Sequence, residues 1–151
     1  MDPFTITDSN PFAQLLGIEL VEAEDGRAEA RLPFRDDLSS NQHTEIAHGG
    51  ATYALADHVG GMAAISAVGE VCPTIDMRID YLAPVRSDLR ATATVVRHGG
   101  QVAPVDIEVR DADDTCVATA RGVYKVGRSS TEGGSESDDN PWLSGRGDSS
   151  D

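Results

Sequence analysis

Lysine is almost missing from this chain: eleven of its twelve basic residues are arginine, and Lys125 is the only lysine. Basic charge is scarce altogether, with twenty-six acidic residues against those twelve and a formal net charge of −14. A surface that holds duplex nucleic acid must neutralise phosphates with Lys and Arg, so this balance argues against nucleic acid and against anionic membranes as partners. Long apolar runs are absent as well. No stretch of eighteen exists, so no membrane-spanning helix is expected. The first residues, Met1-Asp2-Pro3-Phe4-Thr5, show no basic segment leading into an apolar one. No secretory signal is therefore expected, and the cytoplasm is the expected location. Cysteine is limited to Cys72 and Cys116, both in apolar stretches and at no metal-ligand spacing, which points to reduced core thiols.

What is present suffices for a core. The chain has 151 residues, 39% of them hydrophobic, with fifteen glycines besides, an ordinary globular share for one domain and a tail. Asp outnumbers Glu seventeen to nine. An Asp-rich, Lys-poor surface suits a halophilic setting, where salt screens self-repulsion. From Arg128 to Asp151 there are seven serines and four glycines, and Trp142 and Leu143 are the only large apolar groups. Such a segment cannot bury enough surface to offset its ordering entropy. Residues 1–127 are thus expected to form the domain and 128–151 a disordered acidic tail.

Within the domain, Pro11 to Leu16 reads as a short helix ended by Gly17, and Asp25-Gly26 as the turn of a hairpin between Ile18–Glu22 and Arg27–Leu32. Asp36 to Glu45 reads as irregular. Gly50 to Val68 has Ala51, Leu55, Val59, Met62 and Ile65 near helical period, the one long helix on offer. Four strands are expected after it: Thr74–Leu82, Leu89–Arg97, Val102–Arg110 and Cys116–Val126. In the first, Ile75, Met77, Ile79 and Tyr81 share a face. Pro104 cannot donate to a ladder and suggests a bulge or an edge near the start of its strand. One early helix followed by antiparallel strands is an α+β pattern. A single helix cannot cover both faces of five or six strands, so the sheet is expected to wrap it and meet a second subunit.

The chemistry concentrates around the start of the long helix, in His48-Gly49-Gly50 and, further on, Asp57-His58-Val59-Gly60-Gly61. Backbone N–H groups at a helix start lack intrahelical partners. Bare glycines there let a carbonyl approach them, and the helix dipole adds positive character. That layout polarises a carbonyl and holds an oxyanion. Asp57 lies two turns on, in a run otherwise apolar or small, where a carboxylate needs a reason. Gly60 and Gly61 on its stripe leave space for a bound group. They equally permit close helix–sheet packing, with Asp57 paired to Arg78 or capping a neighbouring loop.

These residues, with Thr74-Ile75-Asp76-Met77-Arg78-Ile79-Asp80-Tyr81-Leu82-Ala83-Pro84, resemble the hotdog-fold acyl-CoA thioesterases of the phenylacetate-degradation (PaaI-like) type over roughly Pro11 to Val126. The resemblance implies a hotdog fold, a long helix wrapped by a five- to six-stranded antiparallel sheet. It also implies homodimers or homotetramers with active sites between subunits. It assigns Asp57 as the acid that attacks the thioester or activates water, and Gly49 as the N–H donor to its carbonyl. Asn41 becomes the upstream polar group, Thr74 a helper of the water, and His48 a brace for the loop. Gln42 remains a candidate beside Asn41. Gly50 and Gly61 would line the substrate site. A CoA ester needs a basic contact for its phosphates, for which Arg86 is singled out from Arg78, Arg86 and Arg97. A thioester carbonyl is electrophilic already, so neither a cofactor nor a metal is called for. A non-catalytic acyl-CoA binding protein is the rival reading.

Other groups carry less. His43, Glu45 and His48 suggest a metal site, but histidines five apart leave one helical face. His58 points about 100° away from Asp57 on a helix, which suits packing or an interface.

Overall fold

The computed structural model describes residues 1–127; the expected tail lies outside the described residues. Two short helices open the chain, α1 (Pro3–Ser9) and α2 (Pro11–Leu16). Asp2 caps the first by accepting from the Phe4 and Thr5 N–H groups, and Asn10 caps the second ahead of Pro11. Gly17 closes α2 in the left-handed region. The hairpin follows as β1 (Glu19–Glu24) and β2 (Arg27–Leu32), with Asp25 and Gly26 both at positive φ, the geometry of a tight primed turn. The stretch read as irregular contains a 3₁₀ turn at Asp36–Leu38 and a small hairpin, β3 (Ser39–Asn41) and β4 (Thr44–Ala47). Its strands are too short and polar to show period-2 alternation.

The long helix α3 runs Gly49–Val68, about 30 Å at 1.5 Å per residue. After it come β5 (Thr74–Tyr81), β6 (Leu89–Val95), β7 (Val102–Arg110) and β8 (Cys116–Lys125). The main sheet is antiparallel in the order β1-β2-β6-β7-β8-β5, with β1 and β5 at its edges. Pro104 does not mark an edge. It sits in the interior strand β7 opposite Val123, and its carbonyl accepts from Val96 just past the end of β6. Its missing donor faces Val96 at the end of that ladder, so the terminal pair keeps one of its two hydrogen bonds.

The helix packs chiefly on β6, β2 and β7. Alanines dominate the contact: Ala28, Ala30, Ala91 and Ala93 on the sheet, and Ala51, Ala56, Ala63 and Ala64 on the helix. These small side chains bring helix and sheet close. Leu55 and Val59 are fully buried between them, each contributing about 2 kcal/mol of apolar burial. Both cysteines are free. Cys72 is buried, which pushes its thiol up to about 11, and Cys116 is half-buried. No described helix is long and apolar enough to cross a membrane.

Candidate active site

Three elements meet at the middle of α3. The half-buried Asp57 accepts a hydrogen bond at Oδ1 from the Thr74 hydroxyl at 2.7 Å, at the first residue of β5. Tyr124, from β8, donates its hydroxyl to the Asp57 main-chain oxygen at 2.9 Å and lies 3.3 Å from the same Oδ1. Among the described residues Asp57 Oδ2 has no hydrogen bond, and no cation pairs with the carboxylate. The alternative partner, Arg78, turns to Asp80 at 3.3 Å instead. Asp57 and Thr74, read as acid and helper, are thus brought together.

Tyr124 is the residue that sequence reasoning missed. It is 1% exposed, and burial first, then the Asp57 charge, pushes its phenol far above the ordinary range. A Cβ on Gly60 would overlap its hydroxyl, and one on Gly122 would come within 2.6 Å of its ring. At Gly60, therefore, the space read as room for a ligand is filled by a tyrosine. Gly61 is buried too, but a Cβ there would meet the ring at an ordinary 3.6 Å. Two signals pointed this way. A tyrosine in the inward row of a strand must find a partner for its hydroxyl, and a glycine inside a strand marks a close approach.

The start of α3 is a second centre. His48 caps the helix, its Nδ1 accepting from the Gly50 N–H at 2.8 Å. Of the two bare amides, that one is committed. The Gly49 N–H, first in the helix, has no acceptor among the described residues. Tyr81 donates its hydroxyl to the Gly49 carbonyl at 2.7 Å, and its ring lies 3.1 Å from where a Cβ on Gly49 would be. Gly49 borders a groove of about 430 Å³ whose other walls include Ile46, Thr52, Tyr81, Leu82 and Pro84. A larger trough, about 640 Å³, crosses the outer sheet face between Arg78, Asp106 and Arg121. Of the expected site residues it holds only Arg78, from the pool for the CoA phosphates, and it is lined by ion pairs such as Arg121–Asp106 at 2.6 Å.

The two centres stand apart. Eight residues of helix separate Gly49 from Asp57, a rise of about 12 Å, whereas a carbonyl must lie about 3 Å from its donor and from its attacking group. Asn41 and Gln42 sit at the β3–β4 turn. The Asn41 Oδ1 accepts from the His43 and Thr44 N–H groups at 2.9 Å, which leaves its amide nitrogen free, and Gln42 is exposed at the tip. Arg86 is exposed, makes no ion pair among the described residues, and follows the groove residue Val85. His58 packs as expected: its Nε2 lies 2.9 Å from the Thr7 hydroxyl of α1.

Comparison with known proteins bears on the family and the fold. Residues 44–118 match the family model described as the thioesterase superfamily. A Halobacterium salinarum protein with a provisional esterase name is 36% identical over 132 residues, covering 80% of this chain and 87% of its own length. The medium/long-chain acyl-CoA thioesterase YigI of Salmonella typhimurium is 30% identical, over 78% of this chain and 86% of its own. Among solved structures, the E. coli PaaI protein from the phenylacetic acid degradation operon aligns at a TM-score of 0.74 with 28% identity, covering 82% of this chain and 89% of that one. Likeness on that scale, carried along most of both chains, makes this chain a member of the thioesterase superfamily with its hotdog fold.

Proposed function

We propose that this protein is a cytoplasmic acyl-CoA thioesterase whose active site is shared between two copies of the chain. One observation carries the reading. A carboxylate free of any cation and a bare helix-start amide lie on one helix, each equipped for half of thioester hydrolysis, yet about 12 Å apart. Bringing the Asp57 end of one copy to the Gly49 end of another completes the set. The open edge strand β5 offers the seam, because Ile75, Tyr81 and Leu82 beside it are each more than half exposed. The resulting homodimer, alone or doubled to a tetramer, closes that edge.

In the shared site the Gly49 N–H holds the thioester oxygen as negative charge develops on it. The Asp57 carboxylate attacks the carbonyl carbon, or takes a proton from a water that does. The carbon–sulfur bond breaks and the electron pair leaves with the CoA sulfur, which takes up a proton. Water supplies the second oxygen of the carboxylic acid, directly where Asp57 is the base and by hydrolysing the acyl–Asp57 anhydride where it is the nucleophile. Thr74 orients Oδ1 and leaves Oδ2 for the reaction. His48 fixes the helix start, and Gly50 supplies the amide that His48 holds. Asn41, whose Oδ1 holds the turn, offers its amide nitrogen to the attacking group or water, with Gln42 at the tip of the turn the alternative for that role. Gly61 keeps the helix floor flat beneath the site. Arg86, at the groove rim, meets the CoA phosphates. The free thiols Cys72 and Cys116 suit a reducing cytoplasm.

The test is a panel of aryl and short-to-medium acyl-CoAs with purified full-length protein in high salt, where its Asp-rich surface is screened, followed by thiol release. Turnover is expected. Tight binding of acyl-CoA that calorimetry and product analysis find intact would replace this reading with a non-catalytic acyl-CoA binder.

A further inference from the structure

Resting on that reading of Asp57, we infer that Tyr124 is a positioning residue for the reaction: it acts through the Asp57 carboxylate and never touches the substrate. The hydroxyl's single proton is shared between the Asp57 main-chain oxygen at 2.9 Å and Oδ1 at 3.3 Å. The carbonyl has its own helical partner regardless, so the phenol is surplus to the helix and specific to this residue. Together with the Thr74 hydroxyl at 2.7 Å it grips one carboxylate oxygen. The remaining Oδ2 is then the only atom of the group free to move toward a substrate, and its direction is set by the two hydroxyls.

Room for the phenol is made on both sides. Gly60 on the helix and Gly122 on β8 each stand where any larger residue would strike it. A glycine inside a helix costs roughly 1 kcal/mol against alanine, and glycine also weakens a strand. Phenylalanine would fill the apolar pocket as well without the oxygen that Gly60 accommodates. Gly60 preserves the hydroxyl, while Gly122 makes room for the ring that carries it. Because burial keeps that group protonated, it donates at every working pH. Tyr124 also lies beyond residues 44–118, the span that the thioesterase family model matches.

The deciding experiment is steady-state kinetics with octanoyl-CoA and benzoyl-CoA on wild type, Asp57→Asn, Tyr124→Phe and Gly60→Ala, with melting temperatures alongside. Tyr124→Phe should lower kcat about tenfold at unchanged KM, with a melting temperature within a few degrees of wild type. Gly60→Ala, which keeps the hydroxyl but displaces it, should lower kcat in the same sense. The Gly60→Ala/Tyr124→Phe double variant should lose no more than the worse single one. An undiminished kcat in Tyr124→Phe, a loss seen only in KM, or independent losses that multiply in the double variant would overturn the inference. Full activity in Asp57→Asn would instead remove the catalytic reading of Asp57.

Discussion

The two ends of the proposed site are built in different ways. At the start of α3 the working group is a backbone N–H, and a short run of sequence suffices: a histidine cap, a bare glycine, and a second glycine whose amide the cap holds. At the middle of the helix the working group is a side chain, and its setting comes from far away, from Thr74 on β5 and Tyr124 on β8. The first centre is local and partly exposed; the second is assembled by the sheet and half-buried. Backbone donors are positioned by secondary structure alone, whereas a carboxylate has freely turning bonds that only neighbours can stop.

The sharpest break of that contrast removes one end at a time. Asp57→Asn should cost at least about 10²–10³ in kcat, as should loss of the oxyanion donor. The donor can be deleted with Gly49→Pro, with Gly49→Ala as the control that adds the same Cβ, 3.1 Å from the Tyr81 ring, and keeps the N–H. Proline is at home in the first helical position, and His48 before it is extended at φ −62° and ψ 135°, which proline tolerates. Circular dichroism should find the helix intact while thiol release stops. Mixing the two inactive variants then asks whether the ends work in trans. In a two-fold dimer each mixed pair regains one intact site, so exchanged subunits should recover about a quarter of wild-type activity. No recovery after verified exchange would place both ends in one chain.

Smaller effects probe the buried end. Gly60→Ala and Gly61→Ala are adjacent and chemically identical, yet should move stability in opposite directions. The first strikes the Tyr124 hydroxyl and Ile107, the second makes ordinary contact at 3.6 Å. Overpacking at Gly60 costs about 1–3 kcal/mol and outweighs the roughly 1 kcal/mol of helix propensity that each substitution gains. Melting temperature should therefore fall in Gly60→Ala and rise in Gly61→Ala.

The smallest effect belongs to His58, beside the acid but turned to α1. Burial holds this imidazole below its ordinary 6.5, with the Asp57 charge opposing. Below about 6.5 the unfolded chain takes up a proton that the folded site resists. Stability from this group is thus present at neutral pH and is lost as pH falls from 6.5 toward the folded value. Thermal melts between about pH 7.5 and 5.5 should show a shallower decline in His58→Gln than in wild type.

Much of this could be read along the chain, because the deciding signals are local. The Asp25-Gly26 turn, the Gly17 stop, the period of α3 and the alternation of β6 and β7 each depend on neighbours a few residues away. The same holds for the bare amide at Gly49, and for the suspicion that falls on a lone Asp57. The β3–β4 hairpin escaped because strands of three and four residues are too short to show alternation, and Pro104 misled because which ladder its missing donor faces depends on where β6 ends. What the tertiary structure alone decided is which groups meet. It chose Tyr124 over a ligand to fill the gap at Gly60, and Asp80 over Asp57 as the partner of Arg78. Periodicity and capping act through the backbone over a turn or two, while these choices join residues up to 67 positions apart, a distance across which only the packed sheet carries information.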